Sequence, residues 1–449
     1  MLRKYLIVVL LVVGVLGAQA TLLEQAEAAY KRKDYPKAFK LYKQGAQKGE
    51  AQAFYHLGLM YYYGQYVDMD IKGKKAFNYF KKAGEMGVAD AYLELADMVA
   101  DGRIAKNAKG EPFACEKALS YANKALSLSP KRADIYERVG WLYLRVQWSN
   151  HTCSLKDFSQ YSQEVQYKQK IFQKGLSYLE KAGEMGDFNA YTTLGYSYAA
   201  GDFRFERSFK KAKQYYLKAV AVLEKAGAKG DSQAYNELGL IYQDESSNLS
   251  TGTILENRHK AVAYFQKAVA MGNANAYTNM GEYVDENKAM EYYKKAGELG
   301  DALGYASLAG MYQGKCEYET FKSCAGAFKK SVEYLTLAGA LGDDYSYKEL
   351  GDTYFYGGLF YRNWEEYQKV PAPPSYTPRI PRDYKKAAHY YQKCADMGNA
   401  YCYLSLAKLY KKGLGVPKDA KKARAYEGHG RDVLCVGEDL DDYCEGDGE

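Results

Sequence analysis

The sequence predicts an all-α fold: a right-handed superhelical solenoid of antiparallel helix pairs. Two recurring phrases predict it. The first is Tyr, two residues, Leu or a similar apolar residue, Gly or Ala, two residues, and usually a second Tyr. It begins at Tyr55, Tyr92, Tyr136, Tyr191, Tyr235, Tyr277, Tyr305, Tyr347 and Tyr403. The second falls between copies of the first. It reads Ala76-Phe-Asn-Tyr-Phe-Lys-Lys-Ala-Gly-Glu-Met-Gly87 in one place and Ala289-Met-Glu-Tyr-Tyr-Lys-Lys-Ala-Gly-Glu-Leu-Gly300 in another. Self-similarity on this scale signals stacked supersecondary units rather than one globular core. It favours a binding scaffold over an enzyme.

In chain order, residues 1–20 read as a signal peptide. Arg3 and Lys4 precede an apolar core, Leu6 to Leu16, and Ala18-Gln19-Ala20 is a small-residue cleavage site. The apolar run is short for a membrane span and no second one follows; an uncleaved anchor is the alternative. The terminal Gly-Asp-Gly-Glu is not a retention tail. The mature protein is expected to be soluble, secreted or periplasmic, with no integral membrane segment after cleavage. Residues 21–49 contain Ala-Tyr-Lys-Arg-Lys-Asp-Tyr-Pro-Lys-Ala and read as an N-terminal capping hairpin. Residues 50–429 read as the solenoid, giving about ten units counted from Thr21. Residues 430–449 read as a C-terminal disulfide cap with an acidic tail.

Within a unit, the first phrase puts Tyr, Leu, Gly/Ala and Tyr at i, i+3, i+4 and i+7, one face of a helix. The small residue admits a close partner helix. The second phrase repeats that spacing and ends in Gly. Gly87, Gly186, Gly230, Gly272, Gly300, Gly342 and Gly398 stand where a helix end needs a left-handed residue. Asp187, Asp231, Asn273, Asp301 and Asn399 follow as N-caps of the next helix. One pair cannot bury its apolar stripe alone; stacking buries a continuous core and leaves a concave face.

These phrases resemble the Sel1-like repeat family, relatives of tetratricopeptide repeats. The loop signature is clearest in Gly413-Leu-Gly-Val-Pro-Lys-Asp-Ala-Lys-Lys-Ala423 and recurs from Gly64 to Ala76. The resemblance implies a scaffold that binds a protein or peptide. An adaptor of a eukaryotic secretory lumen is a further possibility, against which stand the missing retention tail and membrane span.

An even count of eight cysteines in an exported chain favours disulfides. Cys394 holds the slot of Ala83, Ala182, Ala268, Ala296 and Ala338, and Cys402 precedes Tyr403, so the two join adjacent helices across a glycine turn. That spacing resembles the Helicobacter cysteine-rich branch of the family, although only one pair here sits at the standard slot. Cys316–Cys324 would tie off a loop and Cys435–Cys444 would staple the C-terminal cap. Cys115–Cys153 are left over and can meet between neighbouring helices; free thiols or a metal are the alternative.

The cysteine-rich branch implies a second function, penicillin binding with weak β-lactamase-type activity related to the cell wall. Ser208-Phe-Lys-Lys211 and Ser405-Leu-Ala-Lys408 match the Ser-x-x-Lys pattern, but no Lys-Thr-Gly accompanies them. Ser208 reads better as an N-cap. The five histidines are scattered, so no metal site is expected. No phosphate loop is present and no cofactor is expected. A net charge of +7 over 449 residues, without a basic stripe, points away from nucleic acid.

Most of the 48 tyrosines belong to packing positions. The candidate binding residues lie in the longest insertion, Tyr354 to Tyr384: Tyr356, Phe360, Tyr361, Trp364 and Tyr376. Five of the nine prolines fall there too, which favours an extended arm. The alternative is a loop folded back over its own repeat. Further insertions are expected at Gln147 to Lys170 and Asp244 to Arg258.

Overall fold

The computed structural model describes residues 20–65, 73–101, 115–146, 161–201, 205–243, 257–315, 321–357 and 382–434. Twenty α-helices and no strand occur among the described residues. They pair as ten hairpins, each with a first helix A and a second helix B. Unit 1 is α1 (Leu22–Lys31) with α2 (Tyr35–Gln47), and unit 2 is α3 (Ala51–Tyr62) with α4 (Lys74–Glu85). Units 3 and 4 are α5 (Ala89–Ala100) with α6 (Cys115–Leu128), and α7 (Ala133–Val146) with α8 (Tyr161–Glu184). Units 5 and 6 are α9 (Phe188–Ala200) with α10 (Phe209–Gly227), and α11 (Ser232–Gln243) with α12 (Arg258–Ala270). Unit 7 is the short α13 (Ala274–Met280), a 3₁₀ turn and α14 (Glu286–Glu298); unit 8 is α15 (Ala302–Gly314) with α16 (Phe321–Ala340). Units 9 and 10 are α17 (Asp344–Tyr356) with α18 (Tyr384–Asp396), and α19 (Ala400–Lys412) with α20 (Ala420–Leu434). Every helix packs on the one before and the one after it, so the core runs along the stack.

The caps follow the predicted chemistry. Thr21 and Glu24 form a reciprocal capping box that starts α1. The seven expected turn glycines all have positive φ, between 80° and 109°. Asp187, Asp231, Asn273, Asp301 and Asn399 each accept from a backbone N–H in the first turn of the following helix. Three details differ from the sequence reading. In unit 2 the first slot of the phrase is Phe54, not Tyr55, because Leu57 and Gly58 follow it at the standard offsets and the Phe54 ring sits 6.3 Å from Tyr79. The second insertion is shorter than expected, since α8 begins at Tyr161. Helix α20 continues past residue 429 to Leu434.

Small residues set the spacing at two recurring contacts. Inside a unit, the glycine of helix A lies under an aromatic ring of helix B: Gly58 under Phe80, Gly195 under Tyr216, Gly239 under Phe265, Gly281 under Tyr293, Gly351 under Tyr391. Between units, the glycine of the Lys-Ala-Gly phrase lies under the first tyrosine of the next A helix. The pairs are Gly84 with Tyr92, Gly183 with Tyr191, Gly227 with Tyr235, Gly297 with Tyr305 and Gly339 with Tyr347. A Cβ at Gly183 would stand 2.4 Å from the Tyr191 ring. Where unit 9 meets unit 10 the glycine is replaced by Ala395, and there the chain carries the Cys394–Cys402 disulfide, with Cα atoms 5.9 Å apart. Closing so short a loop is worth about 2–3 kcal/mol in the chain-entropy picture.

Gly183→Ala is expected to cost about 1–3 kcal/mol through overpacking. Gly310→Ala, at an exposed helix position with nothing within 4 Å of its would-be Cβ, is expected to gain about 0.5–1 kcal/mol. Urea denaturation midpoints of the two variants should move in opposite directions.

Candidate functional site: the inner face of the A helices

Side-chain reach shows which face is inside. Neighbouring A helices are bridged by short side chains: Asn279 on α13 donates to Asn236 on α11 at 2.8 Å, and Gln313 on α15 donates to Glu349 on α17. Neighbouring B helices need a tyrosine to span the gap: Tyr215 donates to Glu180 at 2.8 Å and Tyr264 to Glu224 at 2.6 Å. The A helices are therefore closer together and line the concave side. Within each A helix, the slots two, five and nine residues after the first aromatic point away from the core, which takes slots zero, three, four and seven.

Those inward slots carry different chemistry along the stack. On α5 and α7 they form an ionic zipper. Arg138 contacts Glu94 at 3.1 Å and Asp97 at 2.9 Å, and Arg145 contacts Asp97 at 2.7 Å and Asp101 at 3.0 Å. Burial pushes the Glu94 carboxyl above its usual range, and Arg138 pulls the other way. Such a network fixes register more than it adds stability. On α9 and α11 the fifth slots are Tyr196 and Leu240, 43% and 38% exposed. The partly buried Trp141 holds the same slot on α7. At the far end the fifth slots are Asp352, which is buried and accepts from the Tyr391 phenol, and the exposed Lys408, with Tyr356 beside it.

Glu137 lies on the α7 side facing unit 5. Its carboxyl is pushed up to about 7, chiefly by burial and further by the Asp187 carboxylate, against the pull of Arg138. It is thus poised to change charge near neutral pH.

In units 4, 5, 6, 8, 9 and 10 the outer side carries an aromatic column the sequence reading missed. A B-helix tyrosine sits between two A-helix tyrosines, as Tyr264 does between Tyr235 and Tyr242, with centroids 6.3 and 5.7 Å away. Lysines seven residues apart close both ends: Lys260 lies 4.9 Å over Tyr242 and Lys267 5.3 Å over Tyr235. Lys211/Tyr215/Lys218 and Lys386/Tyr390/Lys393 repeat the arrangement. The signal in the sequence is Lys-x3-Tyr-x2-Lys on helix B. These lysines are occupied as cation–π partners of the scaffold.

Of the sequence-predicted binding residues, Tyr356 ends α17 on the inner face and is 38% exposed. It packs on Phe355, and Lys408 lies 5.8 Å over its ring. Phe360, Tyr361, Trp364 and Tyr376 lie outside the described residues. Cys115 is disulfide-bonded, while its expected partner Cys153 lies outside the described residues, as do Cys316, Cys435 and Cys444 and the side chain of Cys324. Ser208 caps α10 by accepting from the Lys211 N–H. Ser405 hydrogen-bonds Tyr391, whose phenol donates to Asp352 at 2.6 Å, and Asp352 pairs with Lys348 at 2.6 Å. Burial, with the Asp352 carboxylate second, pushes the Tyr391 phenol far up, so it holds its proton and is no base for Ser405. No cluster of His, Cys, Asp and Glu fit to hold a metal occurs among the described residues.

Ten hairpins with a recurring aromatic–glycine code and a varied inner face define an α-solenoid repeat scaffold of the tetratricopeptide-like class. The Sel1 repeat profile matches residues 26–50, 51–88, 172–187, 189–221, 232–273, 278–301, 377–399 and 400–426, a little over half of the chain. The chain belongs to the Sel1 repeat family, whose fold typically mediates protein–protein interaction. No curated protein sequence matches it. Among solved structures, a Sel1 repeat protein from Oxalobacter formigenes is 24% identical, covering 60% of this chain and 98% of its own, with a TM-score of 0.35. A protective antigen of uropathogenic Escherichia coli strains with an SLR fold is 19% identical, covering 93% and 87%, with a TM-score of 0.34. An immunity protein from Pseudomonas aeruginosa is 17% identical, covering 55% and 82%, with a TM-score of 0.32.

Glu137 also sets a pH dependence. Its native pKa is raised from 4.5 to about 7, so between these values the folded chain keeps a proton that the unfolded chain releases. Stability therefore falls as pH rises through that window. Glu137→Gln is expected to be the more stable form at pH 8 by about 1–2 kcal/mol, allowing for solvent screening, and equal to the parent below pH 4. Denaturation across pH 4–8 checks this.

Proposed function

We propose that this chain is an exported scaffold whose inner A-helix groove binds an extended protein or peptide segment in the periplasm or extracellular space. The observation that carries this reading is the exposure of Tyr196 and Leu240 on adjacent A helices, at a slot where the other apolar occupants, Leu59 and Trp141, are partly buried. Exposed aromatic and aliphatic side chains on a rigid concave wall are the anchors such surfaces use. Carboxylates on the α7/α9 seam favour a segment that carries a basic side chain beside an apolar one. A cation placed at Glu137 would draw its proton off, so affinity should rise with pH between about 6 and 8. The charged and apolar pattern of residues 1–20 supports export. The β-lactam alternative gains no support from the arrangement around Ser208 or Ser405.

A photo-crosslinking amino acid at position 196 or 240 should capture a discrete partner in the native envelope. The same group at Leu217, exposed on the outer helix α10, should not. Capture from position 217 alone, or from all three alike, would overturn the reading.

A further inference from the structure

One contact joins parts of the chain far apart in sequence. The Lys33 ammonium, in the turn between α1 and α2, lies 3.5 Å from the Asp344 carboxylate at the start of α17. These belong to unit 1 and unit 9, eight units along the stack. Lys33 is the one non-glycine residue with positive φ among the described residues, at 56°. At the corresponding turns of other units the left-handed residue is a glycine, such as Gly201, Gly357 or Gly413. A lysine there tolerates a backbone conformation that glycine adopts freely. Its side chain runs along Gly342, with Cε 3.8 Å from that glycine's would-be Cβ.

The other side of the contact is also built. Asp344 accepts from Asn399 Nδ2 at 2.8 Å, which anchors the carboxylate between units 9 and 10. Tyr35, two residues beyond Lys33, is 5% exposed. Its phenol is pushed up to about 12, first by burial, then by Tyr30 and Asp344. Tyr403 of unit 10 in turn feels Tyr35. The edge of unit 1 thus meets the opposite edge of units 9 and 10, so the stack completes one superhelical turn in about eight units and touches itself.

We infer that the turn at Lys33 is an ionic clasp: it holds the N-terminal hairpin against units 9 and 10 through Asp344 and closes the superhelix on itself. The ion pair is partly exposed, with side chains 29% and 24% accessible, so salt weakens it. Closure makes entry to the inner groove depend on this contact, while the clasp itself stands whether or not that groove binds a partner.

Small-angle scattering on the full mature chain reads closure without any ligand. At low salt, Lys33→Glu and Asp344→Lys should each lengthen the maximum dimension by about a helix diameter, ~10 Å, and the double charge swap should restore it. Molar salt should do to the parent what the single variants do. Lys33→Gly is the second arm: it should open the molecule without lowering its melting temperature, because glycine suits that backbone. Unchanged dimensions in all single variants would overturn the clasp, as would opening that the charge swap fails to reverse. Circular dichroism confirms that each variant is folded.

Discussion

The structure depends on the approach of an aromatic ring to a glycine that has no side chain to obstruct it. The contact takes two forms, one inside the hairpin in units 2, 5, 6, 7 and 9 and one across to the next unit at five of the seams. Gly239 under Phe265 and Gly227 under Tyr235 show both in consecutive helices. Each ring buries apolar area against bare backbone, so helices come closer than an alanine would allow. Because the inter-unit contact always joins residues eight apart across a tight turn, it fixes the orientation of each new unit on the last. Rigidity along the stack is then a sum of neighbour contacts.

That same code is why so much was legible in the sequence. The helix pairs, the turn glycines and the Asp or Asn caps each follow from a local rule that needs no distant partner. Cys394 and Cys402 were legible because the repeat supplies aligned slots for comparison. The Phe54 register was missed because Tyr55 and Phe54 are both aromatic, and only Gly58 and Leu57 decide between them. The tyrosine–lysine columns were missed because lysines on a helix usually mean a solvated face. The raised pKa of Glu137 and the clasp depend on residues from different units, which a reading by repeats does not juxtapose. The insertion beyond Tyr356 lies outside the described residues.

The packing slots are nearly constant from unit to unit, while the inward slots are free to vary. Along them the chain passes from an ionic zipper on α5 and α7, through Tyr196 and Leu240, to the Lys408–Tyr356 pair beyond. A scaffold can change its recognition by changing these residues without touching the glycine–ring contacts. The zipper carboxylates are already paired with arginine, so they hold register; the exposed apolar side chains of these slots, Tyr196 and Leu240, lie on units 5 and 6. This division between constant and variable slots is what the family's interaction role requires of a fold.

Native-state hydrogen exchange tests the coupling claim most directly. The α8/α9 seam has the Gly183–Tyr191 contact, whereas at the α12/α13 seam the equivalent pair is Val269 and Tyr277. Amides on both sides of the α8/α9 seam are expected to open together, with strong protection, and protection to step down at α12/α13. Equal protection at the two seams, or separate opening of α8 and α9, would contradict that coupling.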